Sequence, residues 1–485
     1  MNLLGQNLVV CFGIGCAAVV CLSSAVGYAE ETDAPVLRAG AAVSNITPPL
    51  GSYIVGNWES PRATHIHDDL HVRSLVLDDG EQRLALVICD NLHIDRPTYD
   101  QAKKRLKDKT GIPVENMLMA SVHTHSGPPA QQPNCLDPNG ELSEYQQFVA
   151  DRIVDCVQCA INNLEPAQIG WGSGQEPTQV FNRRWYMDEP SLMVSPFGHQ
   201  DKVRMNPPRN HDSLVKPAGP TDPEIAFLAV RSVEGRPIAL LANYSLHYVG
   251  GVPKGHISAD YFAVFADRIQ ELLGADRLDP PFVGILSNGT SGDINNINFR
   301  QPSPKRQPYE QMHRVANMVA DKVYRACQTI EYHGHAKLGA RMSALTLDVR
   351  KPDEATVEWA RGILDKPEEE TQRKQRIYAK RTLMLNESPA NVDVWIQTLR
   401  VGDVGIAAIP FETFAETGLY LKEKGPLPVT FTVSHANGAY GYLPTPAQHK
   451  LGGYETWLGT NRVAVDSEPA IVARLLEQLG ELAGE

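Results

Sequence analysis

Two histidines, His123 and His125, are the residues of this chain whose type and spacing first suggest chemistry. They close an apolar run, residues 117–122, that we predict to be a buried strand, and a Ser-Gly-Pro break follows at residues 126–128. Side chains two positions apart in a strand project to the same face, so both imidazoles would leave the strand end in one direction. Neutral imidazole is a common zinc ligand, which makes the pair a candidate start of a metal site. A hydrogen-bonded pair at a strand end is the alternative, and the spacing alone fits both.

Other residues that could bind a metal follow further predicted strands. His247 comes after residues 238–244, Asp293 after residues 282–286, Glu412 after residues 404–409, and Tyr440 and Tyr442 after residues 429–433. Ligands bind at the carboxyl ends of strands in open α/β sheets, so this recurrence favours one shared cleft. Two histidines from separate strands and one carboxylate suffice for a zinc site that keeps a position for water.

The elements that must position these residues alternate between strand and helix. A further strand is predicted over residues 84–89, and helices over residues 97–109, 143–164, 261–273, 309–330, 468–482 and from residue 413 onward. Ser143 and Gln146 have the spacing of a capping box. The alternation predicts an α/β fold with a mixed or mostly parallel β-sheet core flanked by helices, and the active site at the C-terminal ends of the strands.

Two segments fall outside this alternation. Residues 190–220 are rich in Pro and Asn and are predicted to form a long surface loop or lid. Residues 351–380 are predicted to be a charged helical stretch on a solvated flank. Neither resembles an interdomain linker, which favours one catalytic unit from about residue 30 onward.

Composition limits the class of function. The chain has 485 residues, 42% of them hydrophobic, which is ample for a large core. Its net charge is −12 and it has no long basic run, so we expect no nucleic-acid partner.

Five cysteines lie beyond residue 29, an odd and sparse set that does not indicate a disulfide framework. Cys156 and Cys159 fall within a helical pattern and are predicted to be packing residues.

The N-terminus has the pattern of a secretory signal. Residues 1–29 contain no Asp, Glu, Lys or Arg, and residues 8–22 are almost wholly apolar. Small residues then lead to Ala29, an acceptable cleavage site. We predict a signal peptide over residues 1–29 and a mature chain that is exported, to the periplasm or the extracellular space, without a transmembrane domain. An uncleaved anchor is the alternative, because the segment lacks an initial Lys or Arg.

Taken together, the chain resembles the catalytic domain of the neutral (non-lysosomal) ceramidases. Order and spacing are retained across about residues 38 to 460. The segments that carry the resemblance are residues 45–51, 66–70, 73–78, 123–128, 182–183, 243–247, 257–260, 292–293, 410–412, 442–445 and 454–455. Each segment is short, and it is their combination that is specific.

The resemblance implies a cofactor and its ligands. One zinc ion is expected, with His123, His247, Glu412 and Tyr442 at the positions of the family's metal ligands. For single residues other roles stay open: Glu412 could cap the helix that follows, and Tyr442 could be a packed loop aromatic. On this reading residues 30–485 form a single ceramidase-like catalytic domain.

The resemblance also implies an activity. His125, Arg183 and Tyr454 fall on positions near the metal that contact or orient the substrate, and we expect His125 to transfer a proton. The implied enzyme is an exported zinc-dependent hydrolase that cleaves an amide (N-acyl) bond with metal-activated water. Its substrate would be a small acyl or lipid-like molecule, and its oligomeric state stays open.

Two departures from the family pattern affect this expectation. After Asp293, which we count among the catalytic residues, the family has a small residue and then a serine implicated in catalysis, where this chain has Asn295. An asparagine supplies no alkoxide, but its amide can hydrogen-bond a carbonyl or an oxyanion. The family's C-terminal β-sandwich domain is also expected to be absent.

These departures keep two alternatives open. One is a metal-dependent esterase, lactonase or deacylase that acts on a non-ceramide substrate. The other is a secreted binding protein that retains the fold and has lost catalysis.

Overall fold

The computed structural model of the chain describes residues 36–137 and 140–485, so the predicted signal peptide lies outside the described residues. In this part the strands are, in chain order, β1 Arg38–Asn45, β2 His65–Ile66, β3 His71–Asp78, β4 Arg83–Cys89, β5 Met117–Ser121, β6 Glu165–Gln175, β7 Phe181–Asn182, β8 Arg184–Met187, β9 Val203–Met205, β10 Leu214–Pro217, β11 Glu224–Ser232, β12 Pro237–Tyr244, β13 His256–Ile257, β14 Val283–Asn288, β15 Ile294–Asn295, β16 Leu338–Asp348, β17 Asn391–Val401, β18 Val404–Ile409, β19 Glu412–Thr413, β20 Val429–Ser434 and β21 Tyr442–Leu443. The helices are α1 Arg96–Thr110, α2 Glu144–Asn162, α3 Tyr261–Leu272, α4 Glu310–Cys327, α5 Glu354–Leu364, α6 Arg373–Glu387, α7 Ala415–Lys424, α8 Pro446–His449 and α9 Ser467–Gly484.

The central layer is an eight-stranded mixed sheet in the order β14-β12-β11-β6-β1-β3-β4-β5. Only the pairs β12–β14 and β4–β5 are parallel, and the remaining neighbours are antiparallel. The predicted α/β class with a mixed sheet is therefore confirmed, and the mostly parallel variant is wrong. Helix α2 packs on β1 and β3 and α1 packs on α2, while α3 packs on β14 and α4 packs on β6, β11 and α3.

A second sheet completes the scaffold of the site. Its order is β16-β17-β18-β20, with β18 and β20 parallel and α9 packed on β16 and β17. The large sheet curls so that its edge strands β5 and β14 contact each other, and β20 contacts both. The carboxyl ends of β5, β12, β14, β18 and β20 consequently meet in one region of the molecule.

Local sequence explains the elements nearest the site. The sequences of β4 and β5 are continuous apolar runs, as expected for strands whose side chains are buried almost throughout. Helix α1 begins after Asp95, whose carboxylate accepts from the Thr98 N–H, and ends at Gly111 in the left-handed conformation. The capping box of Ser143 and Gln146 at α2 is confirmed, and Gln146 Nε2 also donates to the Asp95 carboxylate, so the N-termini of α1 and α2 are joined.

Several sequence predictions need correction. Residues 190–220 are not an irregular loop, because they contain β9 and β10, which pair with β8 in a three-stranded sheet. Residues 351–380 are not one solvated helix: Pro367 lies between α5 and α6, and Tyr378 and Ala379 are fully buried. The helix predicted to start at residue 413 begins at Ala415, because Glu412–Thr413 form β19.

The described residues form one compact unit. In the part of the chain that the structure covers, no helix combines the length and apolarity needed to cross a bilayer. Cys156 is buried and its thiol contacts Ser74, whereas Cys159 is exposed, so the two cysteines do not share a site.

Candidate metal centre

The residues after β5 turn sharply before they reach the site. β5 ends at Ser121, and His123 has a φ of +74°, in the left-handed region that non-glycine residues seldom occupy. The argument that His123 and His125 share a strand face is therefore wrong, because both lie beyond the strand. The turn itself brings their Nε2 atoms to 3.1 Å, with the ring planes 83° apart.

Four ligand-type atoms converge at this turn. His123 Nε2 lies 3.1 Å from His247 Nε2 and 3.4 Å from Glu412 Oε2, and His247 Nε2 lies 3.9 Å from that oxygen. Nitrogens of His123, His125 and His247 all lie within 4.8 Å of one another. Two nitrogens about 2.0–2.1 Å from a tetrahedral zinc ion are about 3.3–3.4 Å apart, so the spacing suits shared coordination.

In His123 and His247, the hydrogen bond made by Nδ1 determines the protonation state of Nε2. His123 Nδ1 lies 3.1 Å from the Leu92 carbonyl oxygen, and His247 Nδ1 lies 3.0 Å from that of Ser291. A carbonyl only accepts, so each Nδ1 carries the proton and each Nε2 of a neutral ring presents a lone pair. Two buried lone pairs that face each other beside a carboxylate repel, and a cation between them removes the conflict. The residues present therefore fit a zinc ion.

Glu412 supplies the negative charge of the group. Burial alone would raise the pKa of Glu412, but the neighbouring His123, His93 and Tyr442 lower it to about 2. Its Oε2 has no hydrogen-bond partner among the described residues. The carboxyl group is thus ionised and has a free oxygen directed at the histidines, as a metal ligand requires.

Tyr442 joins the site through Arg183. Its hydroxyl oxygen accepts from Arg183 Nη2 at 2.9 Å, and Glu412 also hydrogen-bonds this phenol. Glu455 holds Arg183 through Nε at 2.9 Å and Arg184 through Nη1 at 2.7 Å, and all three are buried. Burial raises the pKa of Tyr442, and Arg183 opposes that rise. The structure therefore brings both predicted residues beside Glu412.

His125 and Tyr454 form two walls of the site. The His125 ring stacks on Tyr248 with 3.7 Å between ring centroids, and burial lowers the pKa of His125 well below its ordinary range. Tyr454 packs edge-on against Tyr442, and burial raises its pKa, so the phenol keeps its proton. His125 reaches the metal-ligand group itself, which makes it a possible further ligand as well as the predicted proton carrier.

Asp293 and Asn295 lie away from this group. The Asp293 carboxylate accepts from Asn182 Nδ2 at 2.6 Å and from the Ala415 backbone N–H at 2.9 Å. The Asn295 side chain donates to Asn206 Oδ1 at 2.7 Å and accepts from the Ile297 N–H. Neither residue lines the cavity beside the histidines, because both side chains are used to join loops. Asp293 and Asn295 thus join loops in this structure, and their catalytic roles stay a prediction.

The cavity beside the histidines has a polar wall. Its volume is about 260 Å³, and it is lined by His93, His125, Glu412, Tyr442, Arg381 and Arg462, among others. Tyr454 also belongs to an adjoining cavity, whose walls include Trp58, Met193, Val194 and Trp457. The adjoining cavity also has charged side chains, from Asp201, Arg204 and Lys374. A polar chamber next to one with part of its wall aromatic and apolar suits a substrate with a polar reacting group and an apolar portion.

Sequence reasoning missed two histidines of this region, His93 and His435. His93 lies four residues after the end of β4 and His435 directly follows β20, so each carries the same signal that identified His123 and His247. It missed Glu455 as well, whose role depends on two arginines far away in sequence. Nothing local to residue 455 indicates a buried double ion pair.

Gly292, which precedes Asp293, lies where there is no room for a side chain. A Cβ at this position would lie 2.5 Å from the Glu412 carbonyl oxygen and 3.0 Å from that of Thr413, and the Gly292 N–H donates to Thr413. We expect Gly292→Ala to displace β19, lowering stability by about 1–3 kcal/mol and weakening zinc binding. Thermal melts and zinc titration check this. The control is Gly362→Ala on α5, whose Cβ meets nothing within 4 Å; equal behaviour of both variants would contradict the account.

His93 makes the metal-free protein sensitive to acid. Burial, and next the charge of His123, lower the pKa of His93 to about 3. Below about pH 6.5 the His93 imidazole therefore binds a proton in the unfolded chain but not in the folded chain. The free energy of unfolding consequently falls as the pH drops through this range. Between pH 7 and 5 we expect wild type to lose about 2 kcal/mol more than His93→Gln in denaturant melts with chelator. Parallel losses in the two proteins would show that His93 titrates normally.

Comparison with known proteins identifies the family to which the chain belongs. Residues 38–305 match the sequence pattern of the family described as neutral/alkaline non-lysosomal ceramidase, N-terminal. A crystal structure of neutral ceramidase from Pseudomonas aeruginosa superposes with a TM-score of 0.70 at 16% identity, over 93% of this chain and 75% of that one. A structure of ceramidase complexed with C2 gives 0.69 at 17% identity, over 92% and 75%.

At these identities the structural likeness shows a shared fold, while the sequence match extends over more than half of the chain. The predicted resemblance is confirmed. The chain belongs to the neutral/alkaline non-lysosomal ceramidase family, a family of hydrolases that act on an amide bond.

Proposed function

We propose that this chain is an exported, zinc-dependent hydrolase that cleaves the amide bond of an N-acylated substrate. The observation that carries the proposal is the convergence of His123, His247 and Glu412, whose nitrogens and carboxylate oxygen lie 3.1 to 3.9 Å apart. Tyr442 is the fourth proposed ligand. A bound zinc ion supplies Lewis acidity, which polarises a carbonyl and lowers the pKa of a water.

The protein's own residues would orient the substrate and move the proton. His125 is neutral because burial lowers its pKa, and we assign to this ring the proton that must reach the leaving nitrogen. Tyr454 keeps its phenolic proton and can donate a hydrogen bond to an oxygen that gains charge. Arg183 is fixed by Glu455 and holds the Tyr442 hydroxyl in place.

Export is part of this proposal. Its support is the apolar, uncharged N-terminal segment, residues 1–29. N-terminal sequencing of protein recovered from outside the cytoplasm should begin near Glu30; a chain that retains residue 1 would instead favour the uncleaved anchor.

The polar cavity favours a second candidate, a deacylase that acts on a substrate other than ceramide. Arg381 and Arg462 both line the cavity and hydrogen-bond Thr460 and the Gly459 carbonyl respectively. Two guanidinium groups on one wall suit an anionic group of the substrate, such as the carboxylate of an N-acyl amino acid. Asn295 in place of the family's serine is compatible with this reading.

A substrate panel tests both candidates. Purified, zinc-loaded protein is assayed with ceramide in mixed micelles, an N-acyl amino acid, an N-acyl amino sugar and a short acyl ester. We expect hydrolysis that stops with chelator and returns with added zinc. Preferred turnover of ceramide would remove the second candidate. Folded, zinc-loaded protein that hydrolyses none of the four would favour the binding-protein alternative.

Arg381→Gln separates the two candidates further. Hydrogen bonds to charged groups are worth about 1.5–3 kcal/mol, so kcat/KM for the N-acyl amino acid should fall about 10- to 100-fold. The uncharged N-acyl substrate serves as the internal control and should be hydrolysed at nearly the wild-type rate. Equal losses on both substrates would mean that Arg381 does not recognise an anion.

A further inference from the structure

A second group of imidazoles lies directly beside the proposed zinc ligands. Nitrogens of His93, His123 and His435 lie within 4.8 Å of one another, and His93 Nε2 is 3.7 Å from Glu412 Oε1. His93 follows β4, and His435 follows β20, so both come from strand ends that meet at the site. The proposed function assigns no task to either ring.

These rings have polar atoms without partners in the protein. His435 is 1% exposed, and both of its ring nitrogens lack a hydrogen-bond partner among the described residues. His93 Nε2 is likewise buried and unpartnered. Buried polar groups are nearly always satisfied, so three such atoms on two neighbouring rings point to a species that the protein binds here.

Ring geometry decides which residues could share an ion. His123 and His435 stack with their centroids 4.3 Å apart and their planes within 7° of parallel. An imidazole binds a cation in its ring plane, so two stacked parallel rings do not direct lone pairs at one ion. His123 is also already committed, through Nδ1 to Leu92 and through Nε2 to the first group. The planes of His93 and His435 are instead tilted by 35°, with their centroids 5.0 Å apart, so a cation here would take His93 and His435, not His123.

Glu412 has an oxygen for each group. Its Oε2 is nearest His123 and His247, whereas its Oε1 is nearest His93. A carboxylate with two differently directed oxygens can bridge two cations, which in two-metal hydrolases lie about 3.5–4 Å apart. Glu412 therefore presents one oxygen to His123 and His247 and the other to His93.

We propose that the site holds a second divalent cation, bound by His93, His435 and Glu412 Oε1, with Glu412 bridging it to the first. The inference rests on the proposed function, because Glu412 is there a ligand of the zinc ion. Two imidazole nitrogens and one carboxylate oxygen suit Zn²⁺ or Co²⁺ better than Mg²⁺ or Ca²⁺. His93 also lines the polar cavity, so this cation would face the substrate.

Metal content of the intact protein tests the proposal. After loading with Zn²⁺ and removal of free metal, wild type should hold two equivalents. His93→Ala and His435→Asn should each hold one. Asparagine is chosen at residue 435 because it tolerates the left-handed backbone there, where φ is +55°. His313→Ala, an exposed change in another histidine cluster on the surface, is the control and should keep two.

The possible results are distinguishable. Wild type with one equivalent, retained in both variants, would overturn the second cation and leave the proposed function intact. Two equivalents retained in both variants would place the second ion elsewhere and also overturn it. No bound metal in folded wild type would remove the proposed function as well.

Spectroscopy of wild type keeps the proposal testable even if the variants do not fold. Two Co²⁺ ions bridged by Glu412 should be magnetically coupled, so the second equivalent should weaken the electron paramagnetic resonance signal per ion. Signals that simply add from the first to the second equivalent would show two separated ions and contradict the bridge.

Discussion

Replacing His247 with alanine is expected to remove both zinc and activity. The His247 ring contributes one of two Nε2 atoms 3.1 Å apart, and it is oriented by the Ser291 carbonyl. Metal ions contribute several kcal/mol to stabilisation of a transition state, so kcat/KM should fall by about 10³-fold or more. Assays with zinc supplied in excess, together with metal analysis, check this expectation.

A matched histidine provides the control for this variant. His333 stacks on Trp171, outside both histidine groups, and His333→Ala should keep zinc and activity. Circular dichroism must show that His247→Ala still folds. A folded His247→Ala protein with zinc content and turnover like those of wild type would contradict the assigned ligand set.

Replacing Glu455 with alanine should cause the largest loss of stability. Its carboxylate pairs with Arg183 and Arg184, and the exposed fractions of the three residues are 0%, 5% and 0%. Removing one partner of a buried pair leaves uncompensated charge and costs about 3–5 kcal/mol. Here two guanidinium groups lose the same partner, so we expect a marked fall in the thermal midpoint.

Glu455→Ala should also reduce activity, because Arg183 would no longer be held against the Tyr442 hydroxyl. Glu423→Ala is a suitable control, since its pair with Lys424 is exposed and exposed pairs are worth about 0–1 kcal/mol. If Glu455→Ala unfolds at the temperature of the control, the buried double ion pair contributes no measurable stability.

The strands predicted from the sequence all have continuous apolar runs, although β11, which is equally apolar over residues 225–230, was not predicted. Strand β6 was missed because its sequence resembles a loop, with glycines at residues 170, 172 and 174. Those glycines have a packing reason: a Cβ at Gly170 would lie 2.6 Å from the Glu331 carbonyl oxygen, and one at Gly172 2.9 Å from Ile330. Close approach of another segment, which sequence does not display, thus selects glycine inside a strand.

The residues of the candidate site were easier to predict from the sequence than the strands of the sheet. His123, His247, Glu412 and Tyr442 follow strand ends, and the strand-end rule alone suggests that they meet. His93 and His435 obey the same rule but lacked the support of the family resemblance. The role of Asn295 stays a prediction: the residue occupies a family position, and its side-chain amide hydrogen-bonds Asn206 and Ile297.

Anomalous scattering from crystals, measured on both sides of the zinc absorption edge, tests the central claim most directly. We predict a peak about 2.0–2.2 Å from the Nε2 atoms of His123 and His247 and from a Glu412 carboxylate oxygen. A zinc-soaked crystal with no peak among these residues, or with zinc only at exposed histidines such as His313, would contradict the account.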